Sequence, residues 1–475
     1  MFFTSTYFLI YLLISFCIYW VLPKKALIQN LFLVFTGYVF YCYYAWNYVL
    51  LLLLVTHFSY FYSPLIAKVQ SETKKKWMLA FAIAVYLSFL VYFKYLNFFG
   101  GIWNDLLALS GAQPMYHLIH LALPLGISFY TLHMMGYSID LYYETIDPVI
   151  DYPAFMAGAV FFPSISSGPI ERAGHIVPQF KATRTFSAKL LEDGINQVLY
   201  GIFKKVVIAD SIGTFVDYVY ARYATLPASA IIIGILGYSI QLYFDFSGYS
   251  DIAIGLGKLF GIRLFTNFKY PYFATSISAL WRRWHISLTT WIMTYIFNPI
   301  AFTYRKKKKF GIFYAAVIAF LLSGLWHGAN WTFVVWGALH GCIIGYELIT
   351  VNTRSKIAAK MPPQIYNTLS ALLTFIVWTL ILVIFRADSL SQAADIYGSL
   401  FSASGLFSSP GFSVMFLILA LGFLIIEWFM REKEYGLQMA SFPIYIRLAV
   451  YIILIVCFVT SDNFYHSKAF LYFNY

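Results

Sequence analysis

Polar and ionisable side chains stand inside apolar stretches of this sequence, and one of them is a histidine suited to acid–base chemistry. His327 lies in the run Gly-Leu-Trp-His-Gly-Ala-Asn, within an apolar segment. An imidazole can take a proton from a hydroxyl and return one to a leaving group near neutral pH. Polar groups are costly inside a membrane and usually face a bundle interior or a cavity. We therefore interpret His327 as a general base, against the alternative of a histidine that only hydrogen-bonds between helices.

The neighbours of His327 favour the functional interpretation. Gly324 and Gly328 would let another helix or a substrate approach the backbone closely. Asn330 follows His327 by three residues, and a continuous helix would place both side chains on one face. His340 follows by thirteen residues, about 220° around an ideal helix, so we predict that His340 only packs.

A second group of polar residues precedes His327 along the chain. Asp245 and Asp251 lie among aromatic residues, and His285 follows two arginines that two tryptophans bracket. These arginines, Arg282 and Arg283, have two interpretations that the sequence does not separate. Together with the tryptophans they could anchor the chain at a membrane interface, or they could bind the phosphates of an anionic donor.

The composition indicates a membrane protein. Of the 475 residues, 61% are hydrophobic and 11% are charged, and the mean hydropathy is +0.73. Soluble domains carry about a quarter charged residues, so this much apolar surface needs a bilayer as its solvent. The net charge of +12 does not indicate a nucleic-acid-binding protein, because Lys and Arg gather in short loops between apolar segments.

Apolar segments of transmembrane length recur along the chain and predict an all-α polytopic membrane protein with about eleven to thirteen crossings. The first, Tyr7 to Leu22, lacks a basic start and a cleavage site, so we expect it to be retained as a helix. The stretches 152–168 and 250–262 are short or interrupted by glycine, which predicts re-entrant or protein-buried segments. The predicted spans are 5–22, 28–45, 47–67, 77–98, 115–143, 152–168, 195–222, 229–245, 279–300, 310–325, 330–350, 368–386, 412–430 and 443–460.

The basic loops predict the orientation. Lys24, Lys75 and Lys307 fall in or beside short basic loops and should face the cytoplasm by the positive-inside rule. Met1 and Tyr475 are then extracytoplasmic. Residues 1–475 are expected to form a single membrane domain, with residues 461–475 as an extracytoplasmic aromatic tail.

The cysteines predict neither a metal site nor a disulfide. They lie singly in apolar segments without metal-ligand spacing, and we expect them to be small core residues. The four are Cys17, Cys42, Cys342 and Cys457. The sequence therefore predicts no metal and no bound cofactor.

Six motifs occur in order along most of the chain and carry a family resemblance. They are Leu-Pro-Leu-Gly-Ile-Ser-Phe-Tyr (123–130), Ser-Gly-Pro-Ile-Glu-Arg (167–172), Phe-Lys-Lys (203–205), Tyr-Phe-Asp-Phe-Ser-Gly-Tyr-Ser-Asp (243–251), Trp-Arg-Arg-Trp-His-Ile-Ser-Leu (281–288) and Gly-Leu-Trp-His-Gly-Ala-Asn (324–330). This set resembles the membrane-bound O-acyltransferase (MBOAT) family, in particular its bacterial cell-envelope branch. The resemblance implies an acyltransferase of the bacterial cytoplasmic membrane.

The same resemblance implies an MBOAT-type ring of tilted helices around a thinned centre, with a tunnel that joins the two membrane faces. His327 would be the principal catalytic histidine and His285 the second. The implied donor is a cytoplasmic acyl thioester, acetyl-CoA, and the implied acceptor is alginate, peptidoglycan or another exopolysaccharide. The implied partner is an extracytoplasmic, esterase-like transferase of the SGNH type. The residues expected to line the tunnel or contact substrate are Trp326, Asn330, Asp245, Arg282 and Arg283.

The last six residues, Phe-Leu-Tyr-Phe-Asn-Tyr, are similar to an aromatic motif whose tyrosine carries the acyl group in such systems. By this likeness the acyl group would pass from the thioester, with the help of His327, to the hydroxyl of Tyr472. Tyr475 is the alternative carrier. A plain interfacial aromatic tail is the alternative to any carrier.

Two other classes of function stay open on the sequence. A transporter or flippase without acyl chemistry would use Asp245, Asp251, Arg282 and His327 to line a permeation path. A scaffold would only recruit an envelope acyltransferase.

Overall fold

The computed structural model of the chain describes residue 3, residues 5–119, 121–401, 415–439 and 442–461, and residues 468, 470 and 471. The regular elements within these ranges are all helices, which confirms the all-α prediction. Met1, Tyr472 and Tyr475, which carry three of the predictions above, lie outside the described residues.

The chain forms two compact units. The first contains Met1–Leu191 and Leu256–Phe265, and the second contains Glu192–Gly255 and Thr266–Tyr475. The arrangement of residues 1–475 as one membrane domain stays a prediction. His285 and His327 both belong to the second unit, together with the residues that contact them.

In the first unit, small polar side chains let three helices approach one another. Ser63 Oγ on α3 lies 2.7 Å from Ser138 Oγ on α6, and the hydroxyl of Tyr86 on α4 lies 3.0 Å from the same oxygen. The segment 152–168 holds only the two short helices α7 and α8, which confirms the prediction of a broken segment. The helices of this unit are α1 (Thr6–Val21), α2 (Ala26–Ala45), α3 (Val49–Lys68), α4 (Glu72–Leu90), α5 (Leu96–Leu109), α6 (Ile127–Tyr142), α7 (Tyr152–Ala159), α8 (Phe162–Ile165) and α9 (Ala173–Lys181).

The remaining helices run from α10 to α22, and two π-helical segments interrupt them at Phe203–Ala209 and Met293–Phe297. Such π-helical turns often mark functional sites. The helices are α10 (Ala188–Ile202), α11 (Asp210–Arg222), α12 (Ala228–Leu259), α13 (Ile277–Trp281), α14 (Ile286–Ile292), α15 (Asn298–Thr303), α16 (Lys309–His327), α17 (Trp331–Ile349), α18 (Val351–Ala358), α19 (Pro363–Arg386), α20 (Leu390–Phe401), α21 (Met415–Met430) and α22 (Ile444–Val459).

The predicted span 115–143 is wrong in its first part. Helix α6 begins only at Ile127, directly after Gly126, which has a φ of +68°. Pro114 and Pro124 lie in the segment before it. Proline lacks the N–H that a helix interior needs, so this segment does not extend the helix backwards.

At 250–262 the re-entrant alternative is wrong, because α12 continues through this region to Leu259, but the predicted burial in protein is confirmed, since residues 252–260 are buried. The glycines of α12 serve helix packing and do not interrupt the helix. A Cβ atom on Gly248 would lie 2.8 Å from the carbonyl oxygen of Gly201 on α10. The two backbones therefore meet where only hydrogen atoms fit.

The helices confirm a multi-pass membrane protein. Exposed apolar side chains on them include Leu13, Phe35 and Leu373, as expected where lipid is the solvent. The count of eleven to thirteen crossings stays a prediction. Within the described residues, six segments are long and apolar enough to cross a membrane, namely Ala26–Lys68, Glu72–Leu109, Ala228–Leu259, Lys309–His327, Trp331–Ile349 and Pro363–Arg386, and shorter apolar helices are Thr6–Val21, Ile418–Met430 and Ile444–Val459.

The prediction that the cysteines are core residues is wrong. Cys17, Cys42 and Cys342 are exposed and Cys457 is partly exposed, and all four are free thiols. A bilayer solvates small apolar side chains on the outer faces of helices as well as a core does, so an apolar sequence context does not distinguish the two.

We expect a cysteine placed at Lys74 to react only from the cytoplasm and a cysteine at Tyr475 only from outside the cell. Lys74 is the better site because it is exposed, whereas Lys75 is buried and donates to Glu144 at 2.5 Å. A membrane-impermeant maleimide, applied to intact cells, measures this in a chain whose native cysteines are replaced by alanine. Labelling of Lys74→Cys from outside, but not of Tyr475→Cys, would reverse the assigned orientation.

Candidate active site

His327 is the last residue of α16, and α16 forms a tight hairpin with α17. A Cβ atom on Gly324 would lie 2.2 Å from the carbonyl oxygen of Phe333, and one on Gly337 would lie 2.3 Å from that of Phe320. The two helices therefore meet backbone to backbone. The predicted close approach at Gly324 is confirmed, and the approaching group is a helix.

Gly324→Ala should lower the free energy of unfolding by roughly 1–3 kcal/mol, because overpacking between two backbones cannot be relieved by a rotamer change. Gly422→Ala in α21 is the matched control, since a Cβ atom there meets nothing within 4 Å. Alanine is favoured over glycine in a helix by about 1 kcal/mol, so the control should be neutral or stabilising. Thermal unfolding in detergent compares the two variants. A Gly324→Ala variant as stable as wild type would contradict the hairpin geometry.

The imidazole of His327 lies in a cage of aromatic side chains. The residue is 3% exposed. Its ring centroid lies 5.1 Å from that of Trp336 and 5.3 Å from that of Phe385, both edge-on, and 5.0 Å from that of Trp326. This packing fixes the ring and keeps bulk water from it, which a positioned general base requires.

The prediction that Asn330 shares a helix face with His327 is wrong, because α16 ends at His327. Asn330 instead caps α17, where its Oδ1 accepts from the backbone N–H of Thr332 at 3.1 Å. Its Nδ2 donates to the backbone oxygen of Asp388 at 3.0 Å. Asn330 thus fixes the turn that follows His327, and contact with substrate stays a prediction.

His285 occupies a strained position between α13 and α14, where the predicted span 279–300 breaks. Its φ of 42° and ψ of 53° lie in the left-handed region, which residues with a side chain rarely adopt outside special sites. The residue is 0% exposed. Its ring lies edge-on to Phe246 at 4.6 Å and 5.8 Å from Trp326. Both predicted catalytic histidines, His285 and His327, therefore contact the indole of Trp326 and belong to one cluster.

Asn267 holds the strained turn in place, and the sequence did not single it out. It is buried, and its backbone oxygen accepts from the N–H of Ile286 at 2.9 Å. Its Oδ1 accepts from Ser287 Oγ at 2.6 Å, and its Nδ2 donates to Ser250 Oγ at 3.3 Å. A lone asparagine in a loop has no sequence signal, and only the fold reveals that it ties the turn at His285 to α12.

His340 packs as predicted, although the helical-angle argument does not apply to two residues on different helices. The side chain is buried, and Trp281 Nε1 donates to its Nδ1 at 3.4 Å. Its ring centroid lies 4.8 Å from that of Trp336, whose indole also contacts His327. His340 therefore lies behind the aromatic cage and does not share a face with His327.

The two arginines differ from the histidines in exposure. Arg282 is exposed and Arg283 is partly exposed, so the structure does not bring them into the buried aromatic cluster. Trp281 and Trp284 beside them are buried. The tryptophans therefore cannot form an interfacial belt, and that part of the anchor interpretation is wrong. Binding of donor phosphates by the arginines stays a prediction.

Buried ion pairs join the π-helical segment 203–209 to α12. Lys204 Nζ lies 2.5 Å from Asp251 Oδ2, and Lys205 Nζ lies 2.5 Å from Asp245 Oδ1 and 2.7 Å from Asp210 Oδ1. Buried charges persist only when they are paired and hydrogen-bonded. Asp245 and Asp251, which the sequence placed along a tunnel or permeation path, are engaged in these pairs.

The described part of the tail docks on α12. Phe470 is buried and stacks on Tyr249 with a centroid distance of 4.6 Å, and its ring lies 5.4 Å from that of Phe246. The backbone N–H of Leu471 donates to Asp245 Oδ2 at 2.9 Å. A buried, hydrogen-bonded segment is not an interfacial anchor, so the anchor interpretation does not fit residues 470–471.

Docking brings the tail to the edge of the histidine cluster. The ring of Phe246 contacts both Phe470 and His285, with centroid distances of 5.4 and 4.6 Å. Leu471 is followed directly by Tyr472. Phe470 and Leu471 therefore hold the chain beside the cluster, directly before the predicted carrier.

The cluster offers two imidazoles in an apolar enclosure. Imidazoles suit proton transfer to and from hydroxyls and leaving groups, and aromatic walls suit an apolar acyl chain. Within the described ranges, no three His, Cys, Asp or Glu side chains converge as metal ligands would. The arrangement fits acid–base catalysis of a group transfer to or from a hydroxyl.

Residues 142–387 match the membrane-bound O-acyltransferase family. The chain belongs to this family and is an O-acyltransferase of a membrane. The matched region contains both His285 and His327 and ends before the tail.

Three relatives are similar over long parts of the chain. The probable alginate O-acetylase of Pseudomonas aeruginosa is 37% identical over 379 residues, which cover 79% of this chain and 70% of that protein. The peptidoglycan O-acetyltransferase of Helicobacter pylori is 32% identical over 411 residues, which cover 80% and 75%. The teichoic acid D-alanyltransferase of Bacillus subtilis is 30% identical over 261 residues, which cover 52% and 64%.

Proposed function

We propose that this enzyme moves an acetyl group from a cytoplasmic thioester, acetyl-CoA, across the membrane for O-acylation of an extracytoplasmic polysaccharide. The observation that carries the proposal is the docked tail. Its Phe470 contacts Phe246, Phe246 packs on His285, and His285 shares the indole of Trp326 with His327. A carrier hydroxyl on this tail would thus be delivered to two buried imidazoles.

The named activities of the relatives support the choice of group and acceptor. Two are named for O-acetylation, of alginate and of peptidoglycan, and the third for D-alanylation of teichoic acid. The acceptors in these names are polymers of the cell surface. We assign alginate, peptidoglycan or another exopolysaccharide as the class of acceptor for this enzyme.

The transfer would run in two steps. His327 takes the proton of the Tyr472 hydroxyl while the phenolic oxygen attacks the thioester carbonyl carbon. An ester C–O bond forms, the C–S bond breaks, and the proton leaves with the sulfur as the free thiol of CoA. An esterase-like SGNH transferase outside the membrane then accepts the acyl group, restores the phenol of Tyr472 and acylates a polysaccharide hydroxyl.

The remaining assignments follow from this route. The enzyme would lie in the cytoplasmic membrane of a bacterium with both termini extracytoplasmic, so that the tail meets its partner outside. Arg282 and Arg283, being accessible, would bind donor phosphates, for which the guanidinium geometry is suited. Trp326 and Asn330 would line the acyl path beside His327.

Intact-mass measurement tests the proposal. The purified enzyme is incubated with ¹³C-labelled acetyl-CoA, and any adduct is located by peptide mapping. We expect one acetyl group on the peptide that contains Tyr472, formed as CoA is released. Release of CoA without an acetyl adduct on that peptide would reject acyl transfer through the tail, and no release of CoA by an enzyme that acetylates polymer would reject acetyl-CoA as the donor.

The rival functions give different results in the same system. A transporter would move substrate across proteoliposomes without releasing CoA. Its predicted path residues, Asp245 and Asp251, are engaged with Lys205 and Lys204, which speaks against that function. A scaffold would support full polymer acylation even when His327 is replaced.

A further inference from the structure

One lysine and two aspartates form a buried charged cluster beside the tail. Lys205 is 5% exposed, Asp210 2% and Asp245 1%. Lys205 Nζ contacts the Oδ1 atoms of both carboxylates, at 2.7 Å for Asp210 and 2.5 Å for Asp245. One amine thus contacts an oxygen of each of two buried acidic groups, and the second oxygen of each needs a hydrogen-bond donor of its own.

The tail supplies those donors from its backbone. The N–H of Leu471 donates to Asp245 Oδ2 at 2.9 Å, and the N–H of Lys468 donates to Asp210 Oδ2 at 3.3 Å. Each carboxylate therefore uses Oδ1 for Lys205 and Oδ2 for the tail. Between these two contacts, Phe470 inserts its ring against Tyr249.

We propose that Asp210 and Asp245, held together by Lys205, form an intramolecular docking site for the backbone N–H groups of Lys468 and Leu471. The site sets where the next residue, Tyr472, emerges relative to the histidine cluster; this consequence rests on the proposed function. Asp210 and Asp245 contact no reacting atom in this scheme and are positioning residues. Two tail side chains add to this docking, since Phe470 stacks on Tyr249 and Lys468 Nζ lies 3.0 Å from Asp217 Oδ2.

Asp245→Asn tests the site, because it replaces one of the two carboxylate oxygens by an NH2 donor, so that Lys205 and the N–H of Leu471 no longer each face an acceptor. In the intact protein, hydrogen exchange of the tail backbone should become roughly tenfold faster or more, while peptides of α16 and α17 keep their wild-type exchange. Acetyl loading of the tail should fall in kcat with little change in the KM for acetyl-CoA. Asp251→Asn is the matched control, since Asp251 is also on α12 and pairs with a buried lysine, whereas the described tail residues Lys468 and Leu471 hydrogen-bond Asp210 and Asp245.

A tail variant keeps the test informative if Asp245→Asn does not fold. Leu471→Pro deletes the donor N–H and leaves the charged cluster intact, whereas Leu471→Ala keeps the N–H. The rate of backbone hydrogen exchange in the tail should rise about tenfold more in the proline variant than in the alanine variant, because only the proline variant loses the hydrogen bond to Asp245.

The outcomes separate this inference from the proposed function. If hydrogen exchange of the tail backbone stays at the wild-type rate in both Asp245→Asn and Leu471→Pro, the docking site is overturned. Equal acceleration of hydrogen exchange in the tail and in α16 would also overturn it, because it would indicate general unfolding. Accelerated exchange of the tail alone supports the docking site. A further outcome is that the variants accelerate hydrogen exchange in the tail alone while the wild-type enzyme never carries acetyl at Tyr472. That result would support the docking site and reject the proposed carrier route.

Discussion

His327→Ala is expected to lower the rate of acetyl transfer about 100- to 10,000-fold, the usual contribution of acid–base catalysis. His327 is buried at the end of α16 in an aromatic cage, and it contacts the same indole as His285. An ionisable group in such a place is costly unless it makes a strong polar contact or does chemistry. Release of CoA and acetylation of the tail, per mole of folded protein, measure the effect.

Folding must be separated from chemistry, because replacing a buried histidine also leaves a cavity. His340→Ala is the matched control: His340 is buried as well and contacts the same Trp336. It should lower the thermal midpoint about as much as His327→Ala does. It should reduce the rate by less than about tenfold, because a residue that only packs does not contribute the roughly 100-fold or more of acid–base catalysis. A His327→Ala enzyme with more than about a tenth of wild-type activity would remove His327 from the mechanism.

His285 should contribute less than His327. The appropriate variant is His285→Asn, because asparagine tolerates the left-handed backbone that His285 adopts, with φ of 42°. We expect a smaller loss of rate than for His327→Ala, with altered use of the donor. Equal losses in the two folded variants would show that the ranking of the histidines is wrong.

Tyr472→Phe is expected to abolish the covalent acetyl adduct and polymer acetylation while leaving expression intact. The substitution keeps the ring and removes only the hydroxyl. A phenol has an ordinary pKa of about 10, so it is a poor nucleophile at neutral pH unless a base takes its proton. The docked Phe470 and Leu471 place the chain next to the histidine cluster, where such a base is available.

Tyr475→Phe is the matched control for Tyr472→Phe, because it removes the other tail hydroxyl that could carry the group. We expect Tyr475→Phe to keep the adduct on Tyr472. The reverse pattern would make Tyr475 the carrier. Normal polymer acetylation in both variants would show that the acyl group leaves the enzyme by another route.

Much of the fold class follows from composition and pattern. Apolar runs of bilayer length and basic loops predict helices in a membrane, because the bilayer leaves few ways to satisfy backbone polar groups. The segment 152–168 was also predicted to be broken, and its glycine and proline content gives the local reason. The helix start expected at 115 and the re-entrant alternative at 250–262 are both wrong. Prolines delay the start of α6, whereas the glycines of α12 pack against another helix without interrupting α12.

For the candidate site, too, the sequence determines one part and the tertiary structure determines the rest. The sequence by itself determined the family and the membrane solvent and singled out His285 and His327 as candidates, because these depend on residue type and on motifs within a few positions of one another. Only the tertiary structure decided that α16 ends at His327, that His285 adopts a left-handed backbone, and that Asn267 holds this turn. It also decided that Asp245 bonds the backbone of Leu471, 226 residues away along the chain. Hydrophobic patterning reports which solvent a side chain prefers, whereas these contacts depend on which distant backbone atoms packing brings within hydrogen-bond distance.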